Sequence, residues 1–314
     1  MQKFDSLNYV KELIKLSPRQ LGGETKTAMR IMETLEEYGI DFTVQEFSVK
    51  IPKWSKCSLI ADGKTISCRP SGMVSGKITS KDNIISSLTG SQAFLTRANV
   101  NFNPQCPGLS SPSHYFAPAI SVIPGDLLKI INAKKILGNV TVKPIKHRSL
   151  NIMAGNIDNP KAILFAHYDS IGLGATDNAS GVAVTMAVII KKPSLLDACL
   201  FVFAGCEELS YDKPYYWGAG FRAFERRYPK LFDKTKKIIA VDCVGNDNPH
   251  WSNNPDLLED AFPIKNFNRH KKKIWALYGS IDKLMAVYHS DLDDMSQLST
   301  IWLKKTVDDL IKNL

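Results

Sequence analysis

Residues 162–170 read Ala162-Ile163-Leu164-Phe165-Ala166-His167-Tyr168-Asp169-Ser170, an apolar run that ends in an imidazole and a carboxylate two positions apart. A short continuous apolar run is the pattern of a strand buried on both faces, as in a parallel sheet. His167 and Asp169 then project to one side of the extended chain at the strand's end, where the carboxylate can orient the ring. The pattern recurs downstream. Cys199-Leu200-Phe201-Val202-Phe203-Ala204 runs into Gly205-Cys206-Glu207-Glu208-Leu209, and Lys237 to Val241 ends on Asp242.

Helical segments alternate with these strands. The stretch Gly174-Ala175-Thr176-Asp177-Asn178-Ala179-Ser180-Gly181-Val182 has the small residues needed for a tight turn and a helix start near Asn178. Asp177 can serve there as a helix cap or as a ligand. A second helix is expected through Phe221 to Tyr228 and a closing helix around Ser296 to Leu314, preceded by the loop Val287-Tyr288-His289-Ser290-Asp291. Strand and helix alternating in this way predict an α/β fold, with a mixed, largely parallel central sheet and helices on both faces. Functional groups of such sheets gather beyond the carboxyl ends of the strands.

Upstream, Ala28, Ile31, Met32 and Leu35 lie on one face of a helix from Glu24 to Tyr38, and Gly39 stands where a C-terminal cap belongs. A strand is expected at Phe42, Val44 and Phe47 to Val49. From Ile51 to Pro118 the chain is rich in Ser, Gly, Pro, Asn and Lys, with short strand candidates. Ala119 to Ile123 and Val140 to Val142 read as strands flanking a short helix from Gly125 to Ala133. The expected organisation is a catalytic domain of residues 1–50 and 148–314, interrupted by a smaller β-rich subdomain at 51–147.

Composition narrows the class. Hydrophobic residues make up 44% and charged residues 23% of the 314, as in ordinary globular proteins, and no apolar run is long enough to span a bilayer. The formal net charge is +9, but the longest basic run is Lys271 to Lys273, which reads as a solvated surface and not as a nucleic-acid interface. Met1 to Ser6 opens no secretory signal, so a cytoplasmic location is expected. The six cysteines form no CxxC pair and read mostly as free thiols, with a Cys57–Cys68 pairing left open. His114, His147, His250 and His270 lack ligand-like spacing and read as surface or core histidines.

Three strand ends and a late loop thus bring His167, Asp177, Glu207, Glu208, Asp242 and His289 to one sheet edge. Two buried carboxylates at the mouth of an apolar strand demand a positive partner. Two imidazoles and three carboxylates, one of them bridging, suit a pair of zinc ions about 3.5–4 Å apart.

At these residues the chain resembles the co-catalytic zinc aminopeptidases of metallopeptidase family 28, which also includes glutamate carboxypeptidases and glutaminyl cyclases. The resemblance covers most of residues 1–50 and 118–314. Leu16-Ser17-Pro18-Arg19-Gln20-Leu21-Gly22-Gly23 looks like the family's opening motif, and the end of the insertion resembles a protease-associated subdomain. The resemblance implies the zinc-dependent exopeptidase fold and two zinc ions, with cobalt or manganese as alternatives. It places His167 and Asp242 on one ion, Glu208 and His289 on the other, and Asp177 between them. It makes Glu207 the general base, Asp169 the support of His167, and Tyr288 a hydrogen-bond donor to the developing oxyanion. In relatives the Asp177–Asn178 bond is often cis. The implied substrates are peptides with a free N-terminus, with no nucleic acid and no membrane among the partners and the oligomeric state open. The alternatives are a glutaminyl cyclase-type transferase, a carboxypeptidase or dipeptidase on the same scaffold, and a non-catalytic relic. The last is disfavoured because all the liganding positions and Glu207 are present.

Overall fold

The structure, a computed structural model, describes residues 4–88 and 96–314. Met1 to Lys3 of the N-terminal reading and residues 89–95 of the insertion lie outside the described residues. The strands are β1 (Phe42–Ala61), β2 (Lys64–Ile66), β3 (Cys68–Pro70), β4 (Gly76–Ile78), β5 (Ile84–Ser86), β6 (Asn99–Phe102), β7 (Ala119–Val122), β8 (Ile136–Gly155), β9 (Ala162–His167), β10 (Cys199–Ala204), β11 (Lys237–Val241), β12 (His250–Ser252) and β13 (Ile274–Tyr278). The chain forms two compact units, the first made of Met1–Val49, His147–Leu284 and Asp293–Leu314, the second of Lys50–Lys146 and Met285–Leu292. Strands β1 and β8 each contribute residues to both.

In the first unit the strand order is β12-β13-β11-β9-β10-β8. The four inner strands β13, β11, β9 and β10 are mutually parallel, and β12 and β8 flank them antiparallel. The α/β class with a largely parallel sheet is therefore the observed one. Alternation along each strand sorts the side chains into two cores. Leu164, Ala166, Phe201, Phe203, Ile239 and Val241 face one core, which also takes residues of helices Ser6–Ile14, Gly22–Glu37, Gly181–Lys191 and Thr300–Asn313. Ile163, Phe165, Leu200, Val202, Ile238 and Ala240 face the other. There Phe165 meets the rings of Phe221, Phe224, Phe232 and Phe262 with centroids 5.6, 5.1, 6.2 and 4.9 Å away. Burying such a side chain contributes about 1.5–3 kcal/mol, so both faces of the sheet are covered strongly enough to hold its rim in place.

Helix Gly22–Glu37 buries Ala28, Ile31 and Leu35, and Gly39 ends it at φ +66°, a left-handed conformation without penalty for glycine. Among the described residues no helix is long and apolar enough to cross a membrane.

The second unit contains the sheet β3-β7-β6-β5, in which β7, β6 and β5 are parallel and β3 is antiparallel to β7. It also contains the β1–β2 hairpin and β4 paired with β8. The hairpin turns at Asp62 and Gly63, both at positive φ, as a two-residue Asp-Gly turn requires. The sequence reading ends the first strand at Val49, whereas β1 runs on to Ala61. Lys50, Lys53 and Lys56 obscured it: they are exposed and dilute the apolar pattern of a strand whose Ile51, Leu59 and Ala61 are buried.

Candidate metal centre

Parallel register brings the strand ends level. His167, the last residue of β9, lies opposite Ala204 of β10, and Phe165 lies opposite Ala240 of β11, so two residues further on Asp242 reaches the height of His167. His167 Nε2 is 3.2 Å from Asp177 Oδ1 and 3.3 Å from Asp242 Oδ1. Donor atoms on a tetrahedral zinc with bonds of about 2.0–2.2 Å are about 3.3–3.6 Å apart, so the two separations are those of ligands around one ion. His167, Asp177 and Glu208 each also offer a ligand atom, all within 4.8 Å of one another, and Asp177, Asp242 and Cys243 form a similar group.

Charge makes the same demand. Asp169, Asp177, Glu207 and Glu208 are buried and Asp242 is half-buried. One imidazole and the nearby guanidinium of Arg19 carry less positive charge than these carboxylates can carry negative, and buried charge is expensive without compensation. Divalent cation binding fits the donor chemistry and the missing charge. Burial opposes protonation of His167, yet the Asp242 charge and hydrogen bonds that the ring donates to Asp169, Asp177 and Asp242 hold its pKa well above the ordinary value. Burial pushes the Glu207 carboxyl well up; His167 opposes this, and Glu208 adds to it.

Asp169 organises the centre more than the sequence suggests. Its Oδ1 is 3.5 Å from His167 Nδ1. The same carboxylate accepts the backbone N–H of Glu207 at 2.9 Å and of Glu208 at 3.0 Å. Cys206 just before them is left-handed, at φ +49°, which is unusual for a residue with a side chain. The paired acceptor at Asp169 holds that turn, and with it the direction of both glutamates. Gln20 Nε2 donates to Asp169 Oδ2 at 3.3 Å.

The capping alternative for Asp177 does not hold. Ser180 is the N-cap residue of helix Gly181–Lys191, and Asp177 lies three residues earlier with Oδ1 facing His167. The Asp177–Asn178 peptide is cis. Asn178, to which the sequence reading assigned no task, ties this turn to the end of β11. Its Nδ2 donates to Val241 O at 2.9 Å, and its Oδ1 accepts the N–H groups of Gly181 and Cys243 at 3.0 and 3.2 Å. Asp293 was also missed. It accepts the N–H groups of Thr176 and Asp177 at 2.9 and 3.0 Å, and burial pushes its pKa up to about 6. Gly174 at φ +64° begins the turn, and a Cβ there would stand 2.3 Å from the Asp177 carbonyl oxygen.

Arg19, in the opening motif, is fully buried. Its guanidinium donates to Tyr168 O at 2.7 Å and to Ser17 Oγ, Leu173 O and Gly174 O at 2.9 Å each. It fastens both ends of the loop between His167 and Asp177, and burial lowers its pKa to about 10.

Tyr288 and His289 belong to the second unit. There His289 Nδ1 lies 3.1 Å from Ser111 O. A carbonyl can only accept, so Nδ1 carries a proton, and in the neutral ring Nε2 then has the lone pair, the tautomer of a metal-binding histidine with its second nitrogen anchored. The Tyr288 ring stacks on the imidazole at a centroid distance of 3.8 Å.

The remaining histidines are dispersed. His250 is exposed, while His114 and His270 are buried. His147 departs from a bland surface role: its Nε2 is 2.8 Å from Glu24 Oε2, and Glu24 also takes hydrogen bonds from Ser149 and from Cys206 Sγ. These groups satisfy one another as a buried polar cluster.

Residues 151–295 match the model described as Peptidase family M28, so the resemblance read from the sequence holds for the segment that carries the strand ends. No curated protein sequence matches the chain. Among solved structures, a zinc aminopeptidase from Bacillus subtilis aligns over 98% of this chain and 92% of its own, with a TM-score of 0.70 and 16% identity. An aminopeptidase from Aneurinibacillus sp. strain AM-1 aligns over 98% and 92% with a TM-score of 0.65 and 17% identity. A Bacteroides thetaiotaomicron glutaminyl cyclase aligns over 99% and 97% with a TM-score of 0.53 and 15% identity. At these identities the likeness is one of fold.

Proposed function

We infer that this chain, whose residues 151–295 carry the pattern of peptidase family M28, is a zinc-dependent aminopeptidase that removes N-terminal residues from peptides. The observation that carries this reading is the placement of His167 Nε2 between the carboxylates of Asp177 and Asp242. Glu208 stands at ligand range of His167 and Asp177.

In this reading His167, Asp177, Glu208 and Asp242 would hold zinc, and His289 would be a further ligand on the family resemblance. When bound, the ions supply Lewis acidity and bring the pKa of water toward neutrality. Glu207 takes the proton of the attacking water and returns it to the leaving amine. Asp169 keeps Glu207 aimed by accepting its backbone N–H. The Tyr288 hydroxyl donates to the oxyanion that develops on the substrate carbonyl, the kind of preorganised donor that lowers such barriers. Attack at the N-terminal end is favoured by the aminopeptidases among the solved structures of the same fold.

Glu207→Gln tests the reading, because the amide keeps the shape and loses the base. It should retain zinc and lose roughly 10²–10⁴-fold in kcat, measured on aminoacyl chromogenic substrates with and without a chelator. Undiminished hydrolysis by this variant would remove the proposed base. The same panel, extended to N-blocked peptides and to a peptide with N-terminal glutamine, separates an aminopeptidase from a carboxypeptidase and from a glutaminyl cyclase.

A further inference from the structure

We propose that Cys57 and Cys68 of the second unit form a reversible disulfide, with a small-molecule disulfide of the glutathione type as oxidant. Their sulfurs stand 3.7 Å apart. In the β1–β2 hairpin Leu59 lies opposite Ile66, and Cys57 and Cys68 stand two residues further along each chain, just beyond the paired stretch. The Asp62–Gly63 turn sets this register, so the proximity is built into the fold. Both thiols are half-buried, whereas Cys106, Cys199, Cys206 and Cys243 are buried. The pair is thus close enough to bond after side-chain rotation and open enough to meet a small reagent.

The chemistry balances as thiol–disulfide exchange. The thiolate of Cys68 attacks one sulfur of the small disulfide, forming a mixed disulfide and releasing one small thiol. Cys57 then loses its proton and attacks the sulfur of Cys68, releasing the second small thiol. Two protein thiols are oxidised and one small disulfide is reduced to two thiols, which take up the protons. The contact between the two sulfurs, in which either can donate, holds the pKa of Cys68 low and pushes that of Cys57 up, which favours Cys68 as the attacking sulfur.

The bridge has a definite neighbour. Arg69, next in the chain, donates through Nη2 to Asp291 at 2.9 Å and through Nη1 to His289 O at 3.3 Å. Cross-linking position 68 to β1 restrains the strand that grips this loop, so oxidation steadies the segment of Tyr288 and His289. Any consequence for zinc retention or turnover rests on the function proposed above, but the bridge and its effect on the loop do not.

The test uses the full chain in buffers of reduced and oxidised glutathione, followed by acid quenching, thiol counting in denaturant, mass spectrometry and peptide mapping. Of the six cysteines, two should become unreactive, the mass should fall by two hydrogens, and the map should join residues 57 and 68. Cys57→Ser should trap glutathione on Cys68. Hydrogen exchange across residues 285–292 should slow roughly threefold or more on oxidation, and Arg69→Ala should abolish that slowing while leaving the bridge intact. Six reactive thiols after equilibration with oxidised glutathione, or a bridge between other cysteines, would overturn the pairing. Unchanged exchange at 285–292 in the bridged chain would overturn the coupling.

Discussion

Replacing Asp169 by Asn probes the support of the metal centre without touching a proposed ligand. The wild-type carboxylate is completely buried and accepts two consecutive backbone N–H groups, those of Glu207 and Glu208. Hydrogen bonds to a charged group contribute about 1.5–3 kcal/mol each, and a buried donor left without a partner costs about 1–3 kcal/mol. Asn retains one oxygen. Its NH₂ group must face one of the two N–H donors, so one bond is lost and two donors are opposed with no water to relieve them. The expected destabilisation is about 2–4 kcal/mol, which lowers Tm by roughly 5–15 °C in a domain of this size. The left-handed turn at Cys206 then loosens, and His167 loses the carboxylate that orients its ring. Zinc affinity should fall roughly 10–100-fold, as for other residues that orient metal ligands. Thermal unfolding of the metal-free chain and chelator competition measure the two effects separately. A Tm within about 2 °C of wild type and unaltered zinc affinity would refute the role given to Asp169.

Two further substitutions address the scaffold. Arg19→Met keeps the apolar stem and removes the donors to Tyr168 O, Leu173 O and Gly174 O, so denaturant unfolding should show a loss of about 3–5 kcal/mol; a loss below about 1 kcal/mol would show that the loop is held otherwise. The Glu24–His147 pair predicts a pH dependence. Burial raises the pKa of Glu24; burial works to lower that of His147, but the hydrogen bond to Glu24 and the charges of Glu24 and Asp169 together raise it. Each group binds its proton more tightly when folded. The stabilisation is therefore fully present below the ordinary values of about 4.3 for Glu and 6.5 for His, and is lost as pH rises through the higher folded values. Tm should decline between pH 5 and pH 8, and His147→Gln should flatten that decline; equal slopes in the two proteins would exclude the pair as its source.

Much of the fold was legible because a parallel strand buried on both faces must be an apolar run, and the runs of β9, β10 and β11 can be read residue by residue. The polar groups that end those runs were legible for the same reason: nothing else in the segment demands His167, Glu207, Glu208 or Asp242. Helix Gly22–Glu37 was readable from its one-sided spacing and the glycine beyond it. The partners of these groups were not. Asp293 lies 116 residues from the Asp177 N–H that it accepts, and His147 lies 123 residues from Glu24. Local pattern encodes which element forms and which face it buries. The meeting of Asp169 with two backbone N–H groups, of Asn178 with the end of β11, and of Cys57 with Cys68 depends on strand register and packing, which only the folded chain decides.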